Sequence, residues 1–192
     1  MRRANRILAL GLLLPVPFET MQAQTSRSQD SNCQKSVHVF LAHPSQGGLQ
    51  RVSHGECWAI VASSNSLLSK LDDWTKSGNQ WAAEYLSEHL NNLDGGNLED
   101  ALEAMGGFSE HDMVRLLSFE LEGKLSSWEL DDALTMLPLS LSDNPSAQLR
   151  LLKRRRQKLA SLTNKELLQQ KVHALAAIDT FIAEVKRNNP GK

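Results

Sequence analysis

The chain has 192 residues, with 21 Lys and Arg against 22 Asp and Glu for a formal charge of −1; 41% of residues are hydrophobic, 5% are aromatic and two are cysteines. That length and apolar content supply the core of one compact domain and exclude a disordered, collagen-like or disulfide-scaffold chain. The near-zero balance argues against a wholly basic nucleic-acid binder.

Residues 1–23 place Arg2, Arg3 and Arg6 ahead of an apolar run from Ile7 to Phe18. Such a run is shorter than the roughly 20 residues that span a bilayer, and the pattern predicts a signal peptide cleaved near Ala23. No cysteine follows the run closely, which argues against a lipid anchor, and Ala-Asn-Arg after Arg2-Arg3 points to general rather than twin-arginine export. No later stretch is long and apolar enough to cross a membrane. The mature chain is therefore expected in the periplasm or outside the cell, with no transmembrane segment. Residues 24–32 (QTSRSQDSN) read as a flexible leader. In an oxidising compartment Cys33 and Cys57 are expected to join, and closing a loop of about 25 residues adds about 3 kcal/mol in the chain-entropy model.

Residues 33–192 read as a single, mainly α domain in two parts. In 33–63, SVHVFLA (36–42) is β-branched and aromatic and favours a strand, with Pro44 and Gly47-Gly48 forming a turn and 50–53 returning antiparallel. CWAIVAS (57–63) is ambiguous between a third strand and a helix start. A small disulfide-tied β-hairpin or meander is the expectation.

From residue 64 to 192 the pattern predicts a bundle of about six helices. Apolar residues recur at three and four spacings in 67–74 and 80–93. Asn97 opens LEDALEAM and Gly106-Gly107 ends it. Ser109 with Asp112 resembles a capping box, and that helix ends at Gly123. Ser126 with Glu129 is a capping box for a helix stopped by Pro138. Asn144-Pro145 opens a helix to about Leu162, and Thr163 with Glu166 opens the longest one, to about Arg187. Its stripe is Leu168, Val172, Leu175, Ile178, Ile182 and Val185, over about 36 Å. LEDALEAM (98–105) and LDDALTML (130–137) echo each other weakly, too few copies for a solenoid.

His54-Gly55-Glu56-Cys57-Trp58-Ala59 resembles the nucleophile segment of papain-like peptidases and transglutaminases, in which Cys followed by Trp opens a buried helix that lowers the thiol pKa. The resemblance implies Cys57 as nucleophile and requires a histidine, for which His89, His111 and His173 are the downstream candidates. All three sit in segments that read as helix, whereas in those families the histidine lies in a β-rich half. Cys33, His38, His43, His54 and Cys57 lie within 25 residues, but on a strand His38 and His43 point to opposite faces and oxidised cysteines do not ligate zinc. Residues 118–129 match an EF-hand loop at Gly123, Leu125 and Glu129, yet carry Ser118 at the first position and glutamates at the third and fifth. A helix end followed by a capping box accounts for the same residues. No GxxxxGK, GxGxxG or GxSxG occurs, and no metal or cofactor is expected.

Charge layout is the most informative feature. Residues 84–143 hold 14 acidic and two basic residues, and residues 150–192 hold 11 basic and three acidic. Either an acidic layer faces a basic one internally, or one of them docks a partner. The acidic candidates are Glu99, Asp100, Glu103, Glu120, Glu122, Asp131 and Asp132; the basic ones are Arg150, Lys153, Arg154, Arg155, Arg156 and Lys158. Arg156 falls where the stripe of Leu149, Leu152 and Leu159 should continue. With no catalytic set, the expectation is an exported, non-enzymatic interaction protein of the envelope inhibitor or immunity type. It has a protein partner and no nucleic acid. The alternatives are a cysteine-dependent enzyme using Cys57 and a periplasmic chaperone or assembly factor using the apolar stripe.

Overall fold

The structure, a computed structural model, describes residues 32–53 and 57–189. The expected signal peptide, most of the leader and His54 lie outside those residues. Among them there is no strand. Helix α1 covers residues 32–42, followed by α2 (Gln46–Ser53), α3 (Trp58–Ala62), α4 (Asn65–Lys76), α5 (Gln80–His89), α6 (Gly95–Phe108), α7 (Met113–Leu121), α8 (Ser127–Thr135), α9 (Pro145–Ser161) and α10 (Leu168–Asn188). The mainly α expectation holds, with more helices than about six.

The β-hairpin is not formed. Cys33, Val37 and Phe40 are 3–6% exposed while Val39 is 53% exposed. That is helical spacing, and a strand would have buried Val37 and Val39 together. Burial of this face against Trp74, whose ring meets Phe40 edge-on at 5.6 Å, outweighs the β preference of Val37 and Val39. The Cys33–Cys57 disulfide is present and ties α1 to the start of α3.

Caps set most later boundaries. The Asn79, Asp112 and Asn144 side chains accept from the backbone N–H three residues on, Pro145 sits in the first turn of α9, and Ser126 and Glu129 form both halves of a capping box. Asp112 acts as this cap alone; Ser109 instead ends α6, its hydroxyl donating to Gly106 O at 2.6 Å. Thr163 does not open α10, which is entered through a 3₁₀ turn at Lys165–Leu167. Helix α6 begins after Asp94 rather than Asn97, and it runs through Gly106-Gly107.

Those two glycines are contact points. A Cβ on Gly106 would lie 2.3 Å from Ala133 O and 2.9 Å from Arg155 Nη2, and one on Gly107 would lie 3.2 Å from Lys76 Cα. So α6 meets α8 and Arg155 through one glycine and the end of α4 through the next. Ala101, Ala104 and Ala133, each at most 1% exposed, keep α6 and α8 close. The two echoing segments bury the same positions, Ala101-Leu102 and Ala133-Leu134. In α10 the buried face is Gln170, Ala174, Ile178, Ile182 and Val185. Leu168 and Val172 are 58% and 60% exposed, so the expected stripe is right only in its C-terminal half.

Candidate functional site

The basic run of α9 is largely occupied within the molecule. Leu152, Arg155 and Leu159 are its buried residues; Arg155, not Arg156, continues the stripe. The Arg155 guanidinium is 1% exposed, and its Nη1 donates to Leu134 O and Met136 O, each at 2.8 Å. These carbonyls end α8 just before Pro138, so the arginine satisfies acceptors that no further helical turn reaches. Burial brings its pKa down to about 10, against the opposing pull of Glu110. Glu110 also meets Arg154 Nε at 2.7 Å and Lys158 Nζ at 3.2 Å. Arg156 is exposed and grips Asp179 with two bonds of 2.6 and 3.0 Å. Arg150 and Lys153 are exposed and make no ion pair among the described residues.

The acidic candidates fall into separate neighbourhoods rather than one patch. Glu122 joins Arg115, and Lys124 bridges Glu84, Glu88 and Glu122. Bonding to Lys124 holds the Glu84 carboxyl below its ordinary range. Glu120 accepts from Ser127 Oγ at 3.0 Å. Asp131 pairs with His173 at 2.9 Å, and burial raises the carboxyls of Asp131 and Asp132. Glu103 holds Lys76 at 2.8 Å. Glu99 and Asp100, on the exposed side of α6, make no ion pair among the described residues.

Asp100 lines a concavity. Helices α4 and α6 run side by side in the same sense: Lys76, at the end of α4, meets Glu103 and Gly107, while Asn65 shares a cleft with Asn97. That cleft, about 360 Å³, is lined by Asn65, Leu68, Ser69, Asp72, Asp73, Lys76, Asn97 and Asp100. Asp72 is 7% exposed and its Oδ1 has no hydrogen-bond partner. Burial pushes its carboxyl up to about 7; Lys76 opposes this, and Asp100, Asp73 and Glu103 add to it. Sequence reasoning passed over Asp72, although a signal was there. Leu68, Leu71 and Thr75 are the buried face of α4, and Asp72 falls on it, four residues after Leu68 and three before Thr75.

Other motifs resolve as follows. Cys57 Sγ is bonded to Cys33, so nucleophilic chemistry at Cys57 would first require reduction of that bond. Of the three histidines, His89 stacks on Trp58 with ring centroids 4.4 Å apart, and its Nε2 is buried without a partner among the described residues. His173 pairs with Asp131 and His111 abuts Gly78. In 118–129 the Glu129 carboxylate accepts from Ser126 N at 2.6 Å and Ser126 Oγ at 2.7 Å, and Gly123 takes φ +73° at the end of α7. His38 and His43 are exposed. Compared with protein-family models, curated proteins and solved structures, the chain matches none of them.

Proposed function

We propose that the chain is an exported, non-enzymatic interaction protein of the inhibitor or immunity type, acting in the periplasm or outside the cell. Its acidic α4–α6 face docks a basic protein partner. The observation that supports this reading is the contrast in occupancy between the two charged regions. Four of the six basic residues of 150–158 engage Glu110 or Asp179. Asp73, Glu99 and Asp100 are exposed and without an ion pair among the described residues. Exposed charges of one sign steer encounter with an oppositely charged protein and fix its orientation. The disulfide is compatible with an oxidising compartment.

Affinity capture from envelope extract tests it, comparing the mature chain with a variant carrying Asp73→Lys, Glu99→Lys and Asp100→Lys. At about 50 mM salt, where exposed charges are weakly screened, the native chain should retain a stoichiometric basic protein. The variant should lose it at least tenfold. Equal recovery by both would defeat the reading.

The exposure of Leu168 and Val172, 58% and 60%, favours a second reading, a chaperone or assembly factor that uses the free half of the α10 stripe. Suppression of aggregation of an unfolded client by the native chain, lost in a Leu168→Ser/Val172→Ser variant, would support that reading; no suppression would remove it.

A further inference from the structure

We propose that the cleft between α4 and α6 is a binding site for one organic cation, an ammonium or guanidinium on an alkyl stem, seated beside Asp72 in the field of Asp73 and Asp100. Three features carry the assignment. First, the cleft has more carboxylates than its own cation can serve. Lys76 lies at the rim and is held by Glu103 at 2.8 Å, which leaves Asp72, Asp73 and Asp100 facing the same space.

Second, Asp72 is a nearly buried acidic group at the wall of the cleft with no cation paired to it among the described residues. Its side chain is 7% exposed and lines the cleft, and its Oδ1 has no partner in the protein. Oδ1 itself is sealed from the cleft, so the gain is electrostatic: a positive charge placed beside this nearly buried carboxylate favours its ionised form. Third, the remaining lining suits an organic cation better than a bare ion. Asn65, Ser69 and Asn97 offer side-chain oxygens as further acceptors, and the edge of the core residue Leu68 borders the same space. Among the described residues, no three acidic, histidine or cysteine side chains are grouped closely enough to share one metal ion. The volume, about 360 Å³, is at the small end of ligand sites and suits a head group with a short stem.

The cation has two sources that the structure treats alike, a free amine or guanidine and a Lys or Arg side chain of a protein. The site goes beyond the docking reading above, because a free amine satisfies it without any protein partner. Failure to capture a partner leaves it standing, and failure of the test below leaves the docking face standing.

The experiment is a backbone-amide NMR titration of the mature, disulfide-bonded protein at pH 8. The free probes are n-butylammonium and ethylguanidinium chlorides, and the chain-borne probes are capped Gly-Lys-Gly and Gly-Arg-Gly peptides. Expected are saturable one-to-one shifts confined to the neighbourhood of Asn65, Ser69, Asp72, Asp73, Asn97 and Asp100. Asp72→Asn, close to isosteric, should weaken binding at least tenfold, and so should the rim variant Asp100→Asn. Binding should also lower the midpoint of the Asp72 carboxyl carbon titration. Tighter binding of the capped peptides identifies a protein side chain as the source; equal or tighter binding of the free cations identifies a small amine. Scattered, non-saturating shifts would overturn the proposal, as would undiminished binding by both variants. Equal shifts from sodium or calcium chloride at the same concentration would also overturn it.

Discussion

Gly106 shows at the scale of one residue how misleading composition can be. A Gly-Gly pair ordinarily marks a helix end. Here helix α6 continues through both because the missing side chains admit Ala133 O, the Arg155 guanidinium and the Lys76 backbone. Gly106→Ala should therefore destabilise the protein by about 1–3 kcal/mol despite the better helix propensity of alanine, since a backbone carbonyl must move. Denaturant unfolding measures this, and an increase in stability would contradict the packing. Asp72 gives a prediction with a pH sign. Its carboxyl titrates near 7 in the folded chain against 3.8 in an ordinary setting. The folded state therefore holds a proton between those values that the unfolded state has lost, and stability falls as pH rises through that window. Asp72→Asn should be close to neutral below pH ~4 and should stabilise by about 1–3 kcal/mol above pH ~7.5. Thermal melts at both ends of the range check it; the same change at both pH values would contradict a buried carboxyl.

At the scale of elements, legibility followed the kind of signal. Local chemistry was readable: Ser126 with Glu129 and Asn144 with Pro145 cap helices where the residue pattern says they should, because a cap involves only a few neighbouring residues. Faces were readable where one spacing dominates and not where two compete. In α9 both 152-155-159 and 152-156-159 are helical spacings, and only the carbonyls at the end of α8 decide that Arg155 goes inward. In α10 the entry through Lys165–Leu167 brings Leu167, Gln170 and Ala174 inward in place of Leu168 and Val172. The β-branched run of 36–42 misleads as a strand signal because its burial comes from residues far along the chain, Trp74 among them. Leu168→Ser with Val172→Ser should change stability by no more than about 0.5 kcal/mol, the usual range for surface positions. A loss of several kcal/mol would place those side chains in the core.

For the whole molecule, the charge segregation seen in the sequence is real but unequally free. Four basic residues of α9 are paired with Glu110 or Asp179, only Arg155 among them buried, and part of the acidic middle is matched by Arg115, Lys124 and Lys76. No run of letters distinguishes a neutralised cluster from a free one, since the partners lie tens of residues away: Glu110 is 48 residues before Lys158. The disulfide works at this scale too. Cys33→Ala with Cys57→Ala should lower stability by about 3 kcal/mol. Limited proteolysis should then cut first in α1–α3, which the bond ties together at its ends. Unchanged stability and an unchanged cleavage pattern would show that the apolar packing of Val37, Phe40 and Val61 suffices.

Arg155 has a bearing on time as well as on energy. The carbonyls of Leu134 and Met136 and the gap opened by Gly106 stand ready in the middle of the chain, but the group that fills them arrives 19 residues after Met136. A ribosome delivering this chain from its N-terminus releases α6 and α8 before their keystone exists. Those helices can collapse together early, but their final register waits for the last quarter of the protein to emerge.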